Sequence, residues 1–174
     1  MSENTSILPS AVIFDWDGVV INSAEAHESS WERLADETNF RLPEGHFKKG
    51  FGKRNENILR EMAWADDPAE INKLSRRKEE LYREIIIENG IELLPGVRDF
   101  IERLEVAGIS RGIGSSTEKL NIETILKITG MKKYFQALVT GDDVENGKPN
   151  PEVFLKCAAA LNIQPIDCIV VEDA

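Results

Sequence analysis

A doubly wound parallel α/β sheet interrupted by an all-helical insertion is the fold this sequence predicts. Three observations carry it. Short apolar runs end in polar or acidic residues, helical repeats separate those runs, and residues 24–91 show helical periodicity without a convincing strand. The first run, Ala11-Val12-Ile13-Phe14, has the continuous hydrophobicity of a strand buried on both faces and stops at Asp15-Trp16-Asp17-Gly18. Ile109 to Gly114 is the second strand, followed by Ser115-Ser116-Thr117. Ala137 to Thr140 is the third, running into Gly141-Asp142-Asp143. Cys168 to Val171 is the fourth, followed by Glu172-Asp173.

The helices between these strands follow from spacing. Val97, Phe100, Ile101 and Leu104 recur at helical intervals, and Gly108 stops that helix. Leu120, Ile125 and Leu126 give another, ended by Gly130, and Val153, Phe154, Cys157, Ala158 and Leu161 a third. Within the insertion, Trp31, Leu34 and Ala35 form one amphipathic helix, and Ile58, Leu59 and Met62 a second. Asp67-Pro68 starts a third helix, whose inner face is Ile71, Leu74, Lys78, Leu81 and Ile85 until Gly90. A stretch of this length is too long for a strand-to-helix connection, so residues 24–91 read as a separate helical cap whose two connections to the sheet lie close together. Residues 1–23 and 92–174 then make up the α/β core.

Composition narrows the function. With 31 acidic and 21 basic side chains the net charge is −10, which disfavours a nucleic-acid partner. No apolar stretch approaches the roughly 18 residues that span a bilayer, and the first residues lack the pattern of a signal peptide. Cys157 and Cys168 make no disulfide framework and read as reduced core residues of a cytoplasmic protein.

In open α/β sheets, ligands bind beyond the carboxyl ends of the strands, where strand order reverses. The polar groups that the sequence places there are the candidates for chemistry. Asp15 and Asp17, two apart, point the same way if strand geometry persists, and such a pair calls for a cation or a proton. Taken alone, the motif is equally a solvated turn. With Glu172 and Asp173 at another strand end, the carboxylates suffice for a hard divalent cation such as Mg²⁺. Lys148 precedes a helix that Pro151 could begin, and is either an exposed loop lysine or a counter-charge. Ser115 and Ser116 offer hydroxyls and N–H groups to an anion, or simply cap a helix.

Together, Asp15-Trp16-Asp17-Gly18-Val19, Ser115, Lys148-Pro149-x-Pro151 and Glu172-Asp173 occur in an order that resembles the haloacid dehalogenase-like hydrolase superfamily. The resemblance implies that Asp15 is a nucleophile forming an aspartyl-phosphate and that Asp17 is the general acid and base. It further implies that Ser115 and Ser116 bind the phosphoryl oxygens and that Lys148 offsets their charge. The Asp15 carboxylate, the Asp17 carbonyl, Glu172 and Asp173 would hold Mg²⁺. Dehalogenase and phosphonatase members lack the second aspartate, so Asp17 argues for phosphate-ester chemistry.

The helical insertion resembles the cap of the β-phosphoglucomutase-like branch, which begins right after the first motif. His27, twelve residues after Asp15, and Lys78 match substrate-facing positions of that cap, and either Arg54 or Lys53, within Gly50-Phe51-Gly52-Lys53-Arg54-Asn55, corresponds to its phosphate-binding arginine. The alternative is that His27 faces solvent and Lys78 is one of many helix-surface lysines. The implied activity is a Mg²⁺-dependent phosphatase of a small phosphorylated metabolite such as a sugar phosphate. A β-phosphoglucomutase-like mutase is the alternative, and a non-catalytic phosphate-binding protein or an inactive truncated product a third reading. Members of the branch normally continue past the fourth motif, whereas this chain stops at Ala174, so an unpaired sheet edge is expected.

Overall fold

The computed structural model describes residues 8–50 and 53–173. The residues on which the signal-peptide reading rests lie outside this range, as do Phe51 and Gly52 of the stretch around Arg54, and Ala174. The elements run β1 (Ala11–Phe14), α1 (Ala24–Thr38), α2 (His46–Gly50), α3 (Asn55–Glu61), α4 (Pro68–Asn89), α5 (Val97–Val106), β2 (Ser110–Gly114), α6 (Lys119–Thr129), β3 (Ala137–Val139), α7 (Glu152–Ala160) and β4 (Cys168–Val171). Contacts divide the chain into two compact units, one reaching to Asn22 and resuming at Ile91, the other Ser23–Gly90.

The first unit holds a four-stranded parallel sheet in the order β3-β2-β1-β4. The chain steps outward from β1 through β2 to β3 and then returns to the far side of β1, so strand order reverses at β1. Both faces of the sheet are covered at β1. Ile13 packs with Val153, Cys157 and Ala158 of α7, whereas its neighbour Phe14 points the other way and meets the ring of Phe100 on α5 at 5.9 Å. Each such side chain removed from water contributes about 1.5–3 kcal/mol. Glycines in β2 let α7 approach closely: a Cβ on Gly114 would stand 2.9 Å from the Phe154 ring, and one on Gly112 would meet the Cys157 sulfur. Ile21 pairs antiparallel with Leu93, so the strand-like segments that leave and re-enter this unit run side by side.

Among the described residues the second unit contains helices and no strand. α1 and α4 pack along each other, and Trp31, Leu34, Leu59, Trp64, Ile71, Leu74 and Leu81 form its core. Asp67 accepts a hydrogen bond from the Ala69 N–H and Pro68 opens α4, which ends at Gly90 with φ +77°. Among the described residues no helix is long and apolar enough to cross a membrane.

Three expectations need correction. Leu120 is exposed rather than part of the inner face of α6, which is built from Ile122, Ile125 and Leu126. The second strand starts at Ser110, one residue later than the apolar run suggests. Cys168 is only half-buried, because β4 is the sheet's edge and its neighbours Ile169 and Val170 are themselves exposed. The Gly114→Ala substitution should cost about 1–3 kcal/mol by overpacking against Phe154 and Ile13. An unchanged urea midpoint would contradict this account of the β2–α7 contact.

Candidate active site

Every core residue singled out in the sequence belongs to the first unit, at the carboxyl ends of the strands around β1. Because β1 pairs with β2 on one side and β4 on the other in near-level register, the residues after Phe14, Gly114 and Val171 emerge together. The Asp15 N–H donates to the Val171 carbonyl at 2.9 Å and the Ser115 N–H to the Val139 carbonyl at 3.1 Å, so the strand ladder extends to the first residue of each loop. Asp15 is buried there at 8% exposure, and Ser115 at 2%.

Lys148 joins two of the strand ends. Its Nζ lies 2.8 Å from Asp15 Oδ2 and 2.6 Å from Glu172 Oε1, and it sits over the Phe154 ring. It arrives from the loop before α7, a helix that also packs on β1, β2 and β3. Burial pushes the Asp15 carboxyl above the ordinary carboxylate range. The Lys148 hydrogen bond and charge and the Trp16 backbone pull against that rise, while the Glu172 charge adds to it.

Asp15, Glu172 and Asp173 each offer an oxygen, all within 4.8 Å of one another. Three hard anionic oxygens at a solvent-facing edge fit a hard divalent cation that keeps part of its water. Gly18 belongs to the same construction. Its φ is +77°, and a Cβ there would run into the Asp173 carboxylate, so the turn after β1 admits Asp173 only because this residue is glycine.

Asp17 is treated differently. Its side chain is not one of the three-carboxylate group, and its Oδ2 accepts a hydrogen bond from the Thr117 hydroxyl. Thr117 follows Ser115 and Ser116, and its N–H donates to Ser115 Oγ at 3.2 Å. These residues form a bend and do not cap a helix, since α6 begins only at Lys119 with Glu118 in the N-cap position. Ser116 is exposed, with its carbonyl packed against Gly141.

A profile of the haloacid dehalogenase-like hydrolase family matches residues 9–174. The chain belongs to that family. It is 32% identical to a β-phosphoglucomutase of Bacillus subtilis (strain 168) over 176 residues, covering 94% of this chain and 75% of that protein. It is 30% identical to the chloroplastic 5-amino-6-(5-phospho-D-ribitylamino)uracil phosphatase of Arabidopsis thaliana, covering 91% of this chain and 43% of that one. Among solved structures, a β-phosphoglucomutase from Clostridium difficile superposes with a TM-score of 0.81 at 28% identity, covering 96% of this chain and 77% of its own. The chain thus spans less than half of the plant phosphatase and about three quarters of the two mutases.

Within the helical unit, His27 and Lys78 meet each other. Lys78 is no helix-surface lysine: it is 2% exposed, with Nζ 2.8 Å from His27 Nδ1 and 3.0 Å from Glu79 Oε1. An ammonium has only donors, so Nδ1 accepts and the ring proton of a neutral His27 sits on Nε2. The imidazole stacks on Tyr82 with centroids 4.1 Å apart, and Asn55 donates to Glu79 Oε1 at 2.7 Å. Arg54 is exposed at the start of α3. Sequence reasoning passed over Glu79, Asn55 and Tyr82. Glu79 next to Lys78 on α4 was the available signal, but adjacent positions on a helix seldom face each other.

Burial on its own would raise the Glu79 carboxyl. The Lys78 charge and the hydrogen bonds from Asn55 and Lys78 outweigh it and hold the group below its usual range. With the folded value depressed, the stability Glu79 contributes is present above the unfolded carboxylate range and is lost as pH falls through the folded one. Lys78→Met should cost about 3–5 kcal/mol at neutral pH by stranding that carboxylate. Part of this loss should be recovered on acidification, as urea unfolding across the carboxylate range would reveal. A pH-independent loss would mean that packing alone is at stake.

Proposed function

We propose that this chain is a phosphoryl-transfer enzyme that removes phosphate from a small phosphorylated metabolite, such as a sugar phosphate, through an aspartyl-phosphate on Asp15. The observation that carries the proposal is the Lys148 ammonium set between Asp15 and Glu172, with Asp173 close by and Asp17 two residues beyond Asp15. A carboxylate cannot attack a phosphate dianion unless positive charge offsets the repulsion between them.

On this reading Asp15 attacks phosphorus, and Lys148 stays beside the attacking carboxylate and neutralises charge as it spreads over the phosphoryl oxygens. Ser115, buried at the end of β2, contributes its hydroxyl, and the Ser116 backbone an N–H, to those oxygens. Asp17 protonates the leaving oxygen and later takes a proton from the attacking water. Asp15, Glu172, Asp173 and the Asp17 carbonyl would hold Mg²⁺. When bound, that ion supplies charge neutralisation and orients the phosphate. His27 and Arg54 are the proposed substrate-recognising residues of the helical cap, 24–91, with the buried Lys78 orienting the His27 ring.

A sugar-phosphate mutase is the second reading, supported by the 32% identity with the Bacillus subtilis β-phosphoglucomutase. The reactions differ in whether water or a sugar hydroxyl accepts the phosphoryl group. Incubation with β-glucose 1-phosphate and a trace of the bisphosphate separates them, since the mutase yields glucose 6-phosphate and the phosphatase free phosphate.

Asp15→Asn should lower p-nitrophenyl phosphate turnover by on the order of 10³-fold or more, and chelation of Mg²⁺ should silence the wild type. Because burial raises the Asp15 carboxyl, its charge costs stability at neutral pH, a cost that fades as pH falls through the folded value. The variant should therefore melt no lower than the wild type at neutral pH. Full turnover by a folded Asp15→Asn protein would reject Asp15 as nucleophile.

A further inference from the structure

We propose that Thr117 is a positioning residue for Asp17, assigning the transferable proton to one of its two carboxyl oxygens. The inference rests on the phosphoryl-transfer reading of the site and adds to it a residue outside the family motifs.

The contact joins residues one hundred positions apart, with the Thr117 hydroxyl donating to Asp17 Oδ2. The loop that presents the hydroxyl is held from several sides. The Thr117 N–H bonds Ser115 Oγ at 3.2 Å, the Ser115 N–H bonds the Val139 carbonyl at 3.1 Å, and the Lys119 N–H bonds Asp142 Oδ2 at 3.0 Å. Gly141 packs against the Ser116 carbonyl, where a Cβ would collide. The hydroxyl has no capping duty to explain it, because Glu118 occupies the N-cap position of α6. On the other side, the backbone of Asp17 is fixed by its bridge to Ile21. The carboxyl turns about its last bond with only a broad, roughly two-fold preference. The Thr117 hydroxyl restricts that rotation.

The chemical consequence follows from counting protons. A carboxylic acid carries one O–H, and the oxygen that accepts from Thr117 is the carbonyl-type oxygen, so the acidic proton resides on Oδ1. In the first half-reaction an Asp15 oxygen bonds to phosphorus and the P–O bond to the alcohol breaks. The electron pair goes to the alcohol oxygen, which takes the Oδ1 proton. In the second, water gives a proton to Oδ1 as its oxygen bonds to phosphorus, and the Asp15–phosphorus bond breaks with its pair returning to Asp15. Oδ2 stays bonded to Thr117 throughout, more strongly while Asp17 is ionised.

The role predicts a dependence on the leaving group. A poor leaving group needs the proton and a good one does not, and kcat/KM reports the steps through alcohol release. The test compares wild type, Thr117→Val and Thr117→Ser on phenyl phosphate and p-nitrophenyl phosphate with Mg²⁺, with vanadate inhibition as a probe of the phosphate site. Thr117→Val should lose about 10- to 100-fold in kcat/KM on phenyl phosphate and only a few-fold on p-nitrophenyl phosphate. Thr117→Ser should restore both, and the vanadate inhibition constant should be the same in all three proteins. If Thr117→Val does not fold, Thr117→Ala takes its place in the same comparison.

Equal losses on both esters together with weakened vanadate binding would make Thr117 a phosphate ligand and overturn the inference. So would a Thr117→Ser protein as impaired as Thr117→Val, or a Thr117→Val protein with wild-type behaviour on both esters. In those cases wild-type turnover that Asp15→Asn abolishes leaves the phosphoryl-transfer reading standing. A wild type with no such turnover on either ester rejects that reading, and the inference with it.

Discussion

Three carboxylates gathered at the carboxyl ends of β1 and β4 repel one another, and most of the local structure answers that repulsion. Asp15 is buried beside Glu172, with Asp173 within a few ångströms of both. Removing such charges from water is costly unless a cation stands among them. Lys148 supplies one, reaching two of the three at hydrogen-bond distance. The remainder of the charge is what gives the site its capacity for a divalent ion. The sheet order, the absence of a side chain at Gly18 and the seating of α7 on β1–β3 all bear on that arrangement, since each sets where one of its members stands.

The same logic operates inside the helical unit. Lys78 lies on the inner face of α4 among Trp31, Tyr82 and the aliphatic core, and a lone ammonium there would be prohibitive. Glu79, the His27 ring and the faces of Trp31 and Tyr82 surround it. A buried ionic group of this kind is poor evidence for stability as such. It does restrict the relative placement of α1 and α4, because both partners of Lys78 must keep their geometry. Exposed pairs across the same helices, Arg77 with Glu37 and Arg33 with Glu88, are screened by solvent and contribute little.

The strands and most helices were legible because their signals are local. The continuous apolar run of Ala11–Phe14, the glycines at 90, 108 and 130, and Asp67-Pro68 each act within a few residues of themselves. Failures came where an element's surroundings override its own pattern. Leu120 has helical spacing but lies at the start of α6, outside the face that meets the sheet. Cys168 is as apolar as a core residue, yet edge placement leaves it half-exposed. The site residues were legible as residue types at strand ends, whereas Thr117 was visible only as one of three hydroxyls in a row.

What the sequence determined by itself is therefore the order of elements and the set of groups delivered to one edge of the sheet. Backbone periodicity and turn chemistry are short-range and can be read along the chain. Which group meets which was decided only by tertiary structure: Lys148 with both Asp15 and Glu172, Thr117 with Asp17, Lys78 with His27 and Glu79. Those pairings join residues from 24 to 133 positions apart, Glu79 excepted. Hydrogen bonds and ion pairs act over about 3 Å, so they exist only once strand order and helix packing have fixed where each side chain begins.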